Sequence, residues 1–279
     1  MYLQKLPCQM SMDRSSDDVR QVSDQRGARA WLRDSLLWVV ALLLALALAL
    51  PHSHTFFGAL FPEQQRPVYL QEPFTELLWQ HLVLVVLSSV AAAAVGTGLG
   101  LAVTRPAGRA FAPMAQTLAS AGQTFPPIAV LALAVPMVGF GELPALIALA
   151  LYGLLPVLQG TLAGLASVPR EAIESAQAMG MGARQILRQV EVPLAMPVWV
   201  AGVRTSVVIN IGTAAIASTV GAKTLGSPII VGLSGFNTAY VLQGAIVLAL
   251  LAITVDTAFD VWAQRIRPCG PCSPPPRSR

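Results

Sequence analysis

Charge is the scarcest property of this 279-residue chain: Asp, Glu, Lys and Arg together make up 11% of it, while 54% is apolar. An ordinary soluble protein carries about 25% charged residues, so most of this chain cannot face water. The small surplus of basic residues, net +4, is scattered along the flanks of apolar runs and forms no single basic face, which argues against a nucleic-acid partner. Cysteine is equally thin. Cys8, Cys269 and Cys272 all fall in polar tails, so no structural disulfide is expected. Cys269-Gly270-Pro271-Cys272 copies a redox dithiol spacing, yet a Pro-rich tail supplies no helix start to lower a thiol pKa. Also missing are a Gly-x4-Gly-Lys-Ser/Thr phosphate loop, paired aspartates, a metal-ligand cluster and a Ser-His arrangement. Neither nucleotide hydrolysis nor intramembrane catalysis is indicated. His52 and His54 alone make a weak metal site, and Gly96, Gly98 and Gly100 lie inside an apolar run where close helix packing explains them.

What is present is a series of long uncharged runs. About 18 apolar residues suffice to cross the hydrocarbon core as a helix, and five such runs span residues 77–104, 114–138, 143–166, 196–220 and 239–262. A shorter sixth, residues 36–50, would rise only about 22 Å, but Trp31 before it and Phe56 and Phe57 after Pro51 supply interfacial aromatics to complete a crossing. The alternative is a secretory signal, against which stands a polar lead of more than thirty residues. The expected organisation is a tail over 1–34, a first span with its outer segment over 35–60, a core of five spans over 75–265, and a Pro-rich tail over 266–279. Residues 51–73 and 221–237 read as outer loops, the second able to fold back on the bundle.

Charge placement orients these spans. With an inside N-terminus and six crossings, Arg66 and Lys223 lie outside and Arg204 lies within a span, which leaves 15 of the 18 Lys and Arg inside. That is the asymmetry of the positive-inside rule. It puts both termini and the polar interruption at 169–193 in the cytosol of a cell bounded by this membrane.

That interruption, PREAIESAQAMGMGARQILRQVEVP, is the most informative stretch. Pro169 suits a first helical turn, Arg170 and Glu174 are spaced as an i,i+4 pair, and Ala172, Ile173, Ala176 and Met179 fall on the opposite, apolar side. Gly180 is placed to end the helix in a left-handed conformation, after which residues 183–190 start a second short helix and Pro193 redirects the chain into the membrane. A helix lying on lipid headgroups would share this composition.

The spacing itself is more specific. Glu174-Ser175-Ala176, three residues, Gly180, nine residues, then Val190-Glu191-Val192-Pro193 resembles the EAA loop of ABC-importer permeases, with size-conservative changes at Ser175, Val190 and Val192. The resemblance implies an all-α integral membrane bundle of about six transmembrane helices with a cytosolic coupling helix. In it residues 167–193 dock on an ATPase through Glu171, Glu174, Ser175, Ala176, Met179, Gly180, Arg184 and Pro193. It further implies separate cytosolic ABC ATPase subunits that bind ATP and Mg, a second permease copy or homologue, a separate solute-binding protein, surrounding membrane lipid, and no cofactor on this chain. Residues 75–262 are similar, more narrowly, to permeases for glycine betaine, choline or carnitine, at Gln123, Thr124, Pro126, Gly139, Gly141, Pro144, Tyr152, Pro156, Arg204, Asn210, Gly212, Thr213 and Gly226 among others. Ala222-Lys223-Thr224 departs from that pattern. The alternatives are an ABC permease for another small solute such as an amino acid, or an ion-coupled secondary transporter, for which Asp256 is the one clear acidic candidate and Asp260 lies near a span end.

Inside the spans, Gln123, Thr124, Pro126 and Pro127 predict a helix break, which either lines the pathway or is a packing kink. Ser206, Asn210 and Thr213 recur at i, i+4, i+7 as one polar stripe, either a route for a polar solute or interhelical glue. Arg204 needs a partner, water or an escape to the interface. With Tyr152, these residues are the candidate translocation pathway.

Overall fold

The computed structural model describes residues 34–106 and 108–266. Apart from Asp34 and Ile266, the expected tails, with all three cysteines, lie outside the described residues. No strand occurs among the described residues, and the helices follow in order. They are α1 (Asp34–His52), α2 (His54–Leu60), α3 (Phe74–Thr104), α4 (Ala112–Thr124), α5 (Pro127–Val138), α6 (Glu142–Ala166), α7 (Arg170–Ala178), α8 (Ala183–Ile186), α9 (Val192–Ala214), α10 (Ser227–Ser234) and α11 (Thr238–Ile266). Five stretches are long and apolar enough to cross a membrane: α1, α3, α6, the unbroken run Ala183–Ala214 and α11.

The short first run is an integral part of the bundle. Leu43, Ala47 and Leu50, at i, i+4, i+7, are buried in the main core, while Leu37, Trp38, Leu42, Leu44 and Leu48 of the same helix point outward as a lipid-facing surface does. α3 shows the same division: Leu77, Leu84 and Val85 are buried, and Trp79, Val86, Leu87 and Val90 are exposed.

The run expected at 114–138 is two half-length helices. Pro126 forces Phe125 out of the helical region, to ψ 137°, and Pro127 then opens α5 where its missing N–H is not needed. α5 ends at Gly139, with φ 88°.

α6 is the most enclosed long helix and packs against α3, α4, α5 and α9. Small residues make this possible, because apolar side chains gain little by leaving lipid for one another and close backbone approach must supply the attraction. A Cβ built on Gly160 would lie 2.8 Å from the Gly202 Cα, and one on Gly202 would lie 2.7 Å from the Pro156 carbonyl oxygen. Gly96 and Gly100 meet Val157 and Thr161 of α6 in the same way, as the packing reading of that glycine pattern requires, whereas Gly98 faces open space.

Two expectations are corrected at the entry to α9. Residues 183–190 do not form a separate helix, and Pro193 does not redirect the chain. α8 runs through a π turn, Leu187–Glu191, straight into α9. The wider π turn immediately before Pro193 relieves the clash between its ring and the preceding turn, so a proline that ordinarily breaks a helix is absorbed. The far end also differs: α9 stops at Ala214, and Ile216–Val220 is a 3-10 turn that leads into α10. α10 lies back against α11, as the loop over 221–237 was expected to do.

Candidate functional site

Two regions carry the polar chemistry. The first is the segment between α6 and α9. α7 starts after Pro169, held at ψ 133°, and ends in a complete glycine cap. Gly180, at φ 79°, donates its N–H to the Gln177 carbonyl at 2.9 Å, and the Met181 N–H reaches the Ala176 carbonyl at 3.1 Å. Only a residue free of the Cβ penalty turns the chain here without strain. The inward side of α7 is Ala176, fully buried, with Ala172 and Ile173 half-buried; Ile186 of α8 is buried behind it.

The outward side is Glu171, Glu174, Ser175 and Met179, continued by Arg184. Met179 corrects the expected apolar face: it is 74% exposed, because the cap ends the helix before Met179 can fold back onto the bundle. The Arg170–Glu174 pair also fails to form, since neither side chain has an ion-pair partner among the described residues, and water outcompetes an exposed pair of this kind. A surface of mixed charge with an exposed methionine, free of ion pairs among the described residues, is thus displayed at one end of the bundle.

One contact ties that end to the spans. Arg105, just past α3, pairs with Glu191 of the π turn at 2.6 Å, with the Glu191 side chain only 15% exposed. Further into the bundle along the same two helices, Trp199 of α9 donates its indole N–H to Thr97 of α3 at 2.8 Å. Neither contact has a local signal in sequence, since the partners are separated by 86 and 102 residues.

The second region is the polar interior. Gln123, at the end of α4, donates its amide N–H to the Tyr152 carbonyl at 2.7 Å. Thr124 bonds only its own helix, at Ala121, and Pro126 is exposed at the break. Ser206 and Asn210 are fully enclosed. Asn210 donates to Ser89 at 3.0 Å and lies 3.4 Å from Ser88, which fastens α9 to α3. Thr213, half-buried, bonds the Ile209 carbonyl of its own helix. The Tyr152 hydroxyl, Ser206 Oγ and Asn210 Oδ1 are buried without a hydrogen-bond partner among the described residues. The stripe therefore sits inside the packing of α3, α6 and α9 in this conformation.

Arg204 has its partner. Its guanidinium grips Asp256 at 2.6 and 2.7 Å and also bonds Asp260, joining α9 to α11. The acid that an ion-coupled mechanism would need is thus taken up in a charge cluster. Pairing of this kind is what makes three charged groups tolerable within apolar helices.

Sequence reasoning missed several polar anchors at the end opposite α7. His81, fully buried on α3, is placed by the Ile211 carbonyl at 3.2 Å and accepts the Leu225 N–H at 3.3 Å. Gln243, fully buried on α11, accepts the Tyr69 N–H at 3.1 Å and donates to Pro67 at 2.7 Å. A lone buried His or Gln in an apolar run was the only signal available. Burial, followed by the charge of Glu72, pushes the Tyr69 phenol up to about 12. Lys223 lies 3.3 Å from Glu76 and 3.4 Å from Glu72, and hydrogen bonds to these two carboxylates raise its pKa.

An all-helical apolar bundle with one capped polar foot and buried interhelical polar anchors defines a multi-pass membrane protein of the transport-subunit class. The family model for the binding-protein-dependent transport system inner membrane component matches residues 94–268, and the chain belongs to that family. The osmoprotectant import permease OsmY of Salmonella typhimurium is 41% identical over 189 residues, which cover 68% of this chain and 80% of the relative. The glycine betaine/carnitine/choline permease OpuCB of Bacillus subtilis is 35% identical, covering 74% of this chain and 95% of its own length. Among solved structures, an inward-facing form of the MetNI methionine ABC transporter superposes with a TM-score of 0.63 at 23% identity, over 71% of this chain and 100% of that one, which shows the shared fold. The chain is a transport component.

Proposed function

We propose that this chain is the translocating subunit of an ATP-driven importer for quaternary ammonium osmoprotectants such as glycine betaine, choline or carnitine. The supporting observation is that relatives 34–41% identical, over 68–74% of the chain, carry those solutes or their class in their names. The capped foot α7 supports the mode of drive. Glu171, Glu174, Ser175, Met179 and Arg184 offer an unpartnered docking face, while Ala176 and Gly180 fix its angle and Pro193 lies within the continuous helix that leads from it into α9.

In this reading α7 and both termini are cytosolic, as the distribution of Lys and Arg favours. Separate ATPase subunits hold ATP and Mg and dock on α7. A second permease copy or homologue completes the passage, and a separate solute-binding protein delivers the cargo. The ATPase stroke moves α7, and the continuous helix from α8 to α9 carries the displacement to Arg204, Ser206, Asn210 and Thr213. Those residues, with Tyr152 of α6 and Gln123, Thr124 and Pro126 at the α4–α5 break, form the passage when the bundle opens.

Cells stripped of their own betaine carriers and supplied with the whole system should accumulate labelled glycine betaine. Replacing the phosphate-loop lysine of the ATPase should abolish that uptake. Uptake that survives the replacement and collapses with the ion gradient instead would overturn the reading.

A further inference from the structure

Resting on that reading, we infer that the recess at the end opposite α7 is a receiving site for a zwitterionic methylammonium solute. Glu72 takes its cationic end and Lys223 its carboxylate. The recess holds about 400 Å³, within the roughly 300–1,000 Å³ of small-ligand pockets. It lies between the segment leading into α3 and the α10 region, and its lining includes Tyr69, Glu72, Ser218, Ser227 and Ile230. One carboxylate, a phenol, two hydroxyls and an aliphatic wall are the groups that a compact solute with one methylated cation and one polar end would meet.

Three further observations point to a ligand with both charges. The Glu72 side chain is 26% exposed and its carboxylate lies 3.4 Å from the Lys223 ammonium, so the mouth presents charges of both signs side by side. Lys223 is held independently by Glu76 at 3.3 Å, so it stays in place when a ligand's ammonium takes over Glu72. Tyr69 is 2% exposed and lines the recess, and its hydrogen bond to Gln243 is made by its backbone N–H and not by its hydroxyl. Its ring edges are already occupied by Phe74 and Tyr240, which leaves the hydroxyl as the group available to cargo. A zwitterion replaces the Glu72–Lys223 pair with two new pairs, whereas a bare cation replaces it with one and leaves Lys223 on Glu76 alone.

The test compares labelled glycine betaine with labelled choline, which lacks the carboxylate, in cells carrying the complete system, with membrane levels of each variant measured. Lys223→Gln is expected to lower the glycine betaine to choline uptake ratio by about threefold to fivefold, the size an exposed charge pair supports. Lys223→Arg should restore it. Ser227→Leu, which fills the recess, should slow both solutes, and Arg66→Gln, a basic residue outside the recess lining, should leave the ratio unchanged. If wild type imports one or both solutes while Lys223→Gln and Ser227→Leu behave as wild type, the recess assignment is wrong and the importer reading stands. If wild type imports neither, both are overturned.

Discussion

The Gln123 side chain donates to the Tyr152 carbonyl, and that carbonyl is the one Pro156 leaves without a donor. A proline within a helix has no N–H for the residue four positions before it, and Pro156 stands four residues after Tyr152. The amide of a residue at the α4–α5 break therefore mends the ladder of α6. The same side chain that marks a helix break in sequence is what holds that break against the central helix.

Gln123→Leu should strand the Tyr152 acceptor and destabilise the bundle by about 1–3 kcal/mol, the usual penalty for a buried unsatisfied group. Pro156→Ala supplies an intrahelical N–H, so the double variant should recover much of the loss. Apparent melting temperatures of the four proteins in one detergent would show this coupling; strictly additive losses would refute the link.

The Arg105–Glu191 pair predicts a charge-swap result. Removing either partner should leave the other partly buried and unpaired, reducing transport and the yield of folded protein. Arg105→Glu with Glu191→Arg should restore both, as measured by uptake per membrane-inserted molecule. A swap that performs no better than the single variants would show that the pair does not link α3 to the π turn.

Close packing predicts a contrast between glycines. Gly160→Val drives a Cβ into the backbone of Gly202, where no flexible side chain can yield. Overpacking of this kind costs about 1–3 kcal/mol or more. Gly98→Val has nothing within 4 Å and should be neutral. Thermal stability of the two purified variants provides the comparison.

Gly180 predicts an effect on coupling. A β-branched residue at φ 79° is strained by about 1–2 kcal/mol, which should loosen the α7 cap. Gly180→Val should therefore lower uptake at normal membrane levels, and Gly180→Asn, tolerant of that backbone conformation, should lower it less. Equal uptake by wild type and both variants would remove the cap from the account.

The elements that local chemistry dictates were legible in sequence. Apolar length gave the spans, Pro126-Pro127 gave the break within one of them, and Gly180 gave the end of α7 with its left-handed backbone. The foot's residue spacing pointed to the family. What escaped depends on three-dimensional context. Pro193 carries a breaker's signal that the neighbouring π turn cancels. The face of α9 bearing Ser206 and Asn210 is polar in pattern, but nothing local shows that α3 and α6 enclose it. His81, Gln243 and the Arg105–Glu191 pair join residues far apart in the chain, and no window of sequence contains both partners.

The most direct test of the central claim, that α7 is a cytosolic foot on which an ATPase docks, is labelling at its exposed tip. Met179→Cys would be placed in a chain whose Cys8, Cys269 and Cys272 are replaced by Ser, and treated with a membrane-impermeant maleimide. The account predicts no labelling in intact cells, labelling in inverted vesicles, and protection once the ATPase subunits are bound. Labelling of intact cells, or a thiol left equally reactive in the assembled complex, would contradict it.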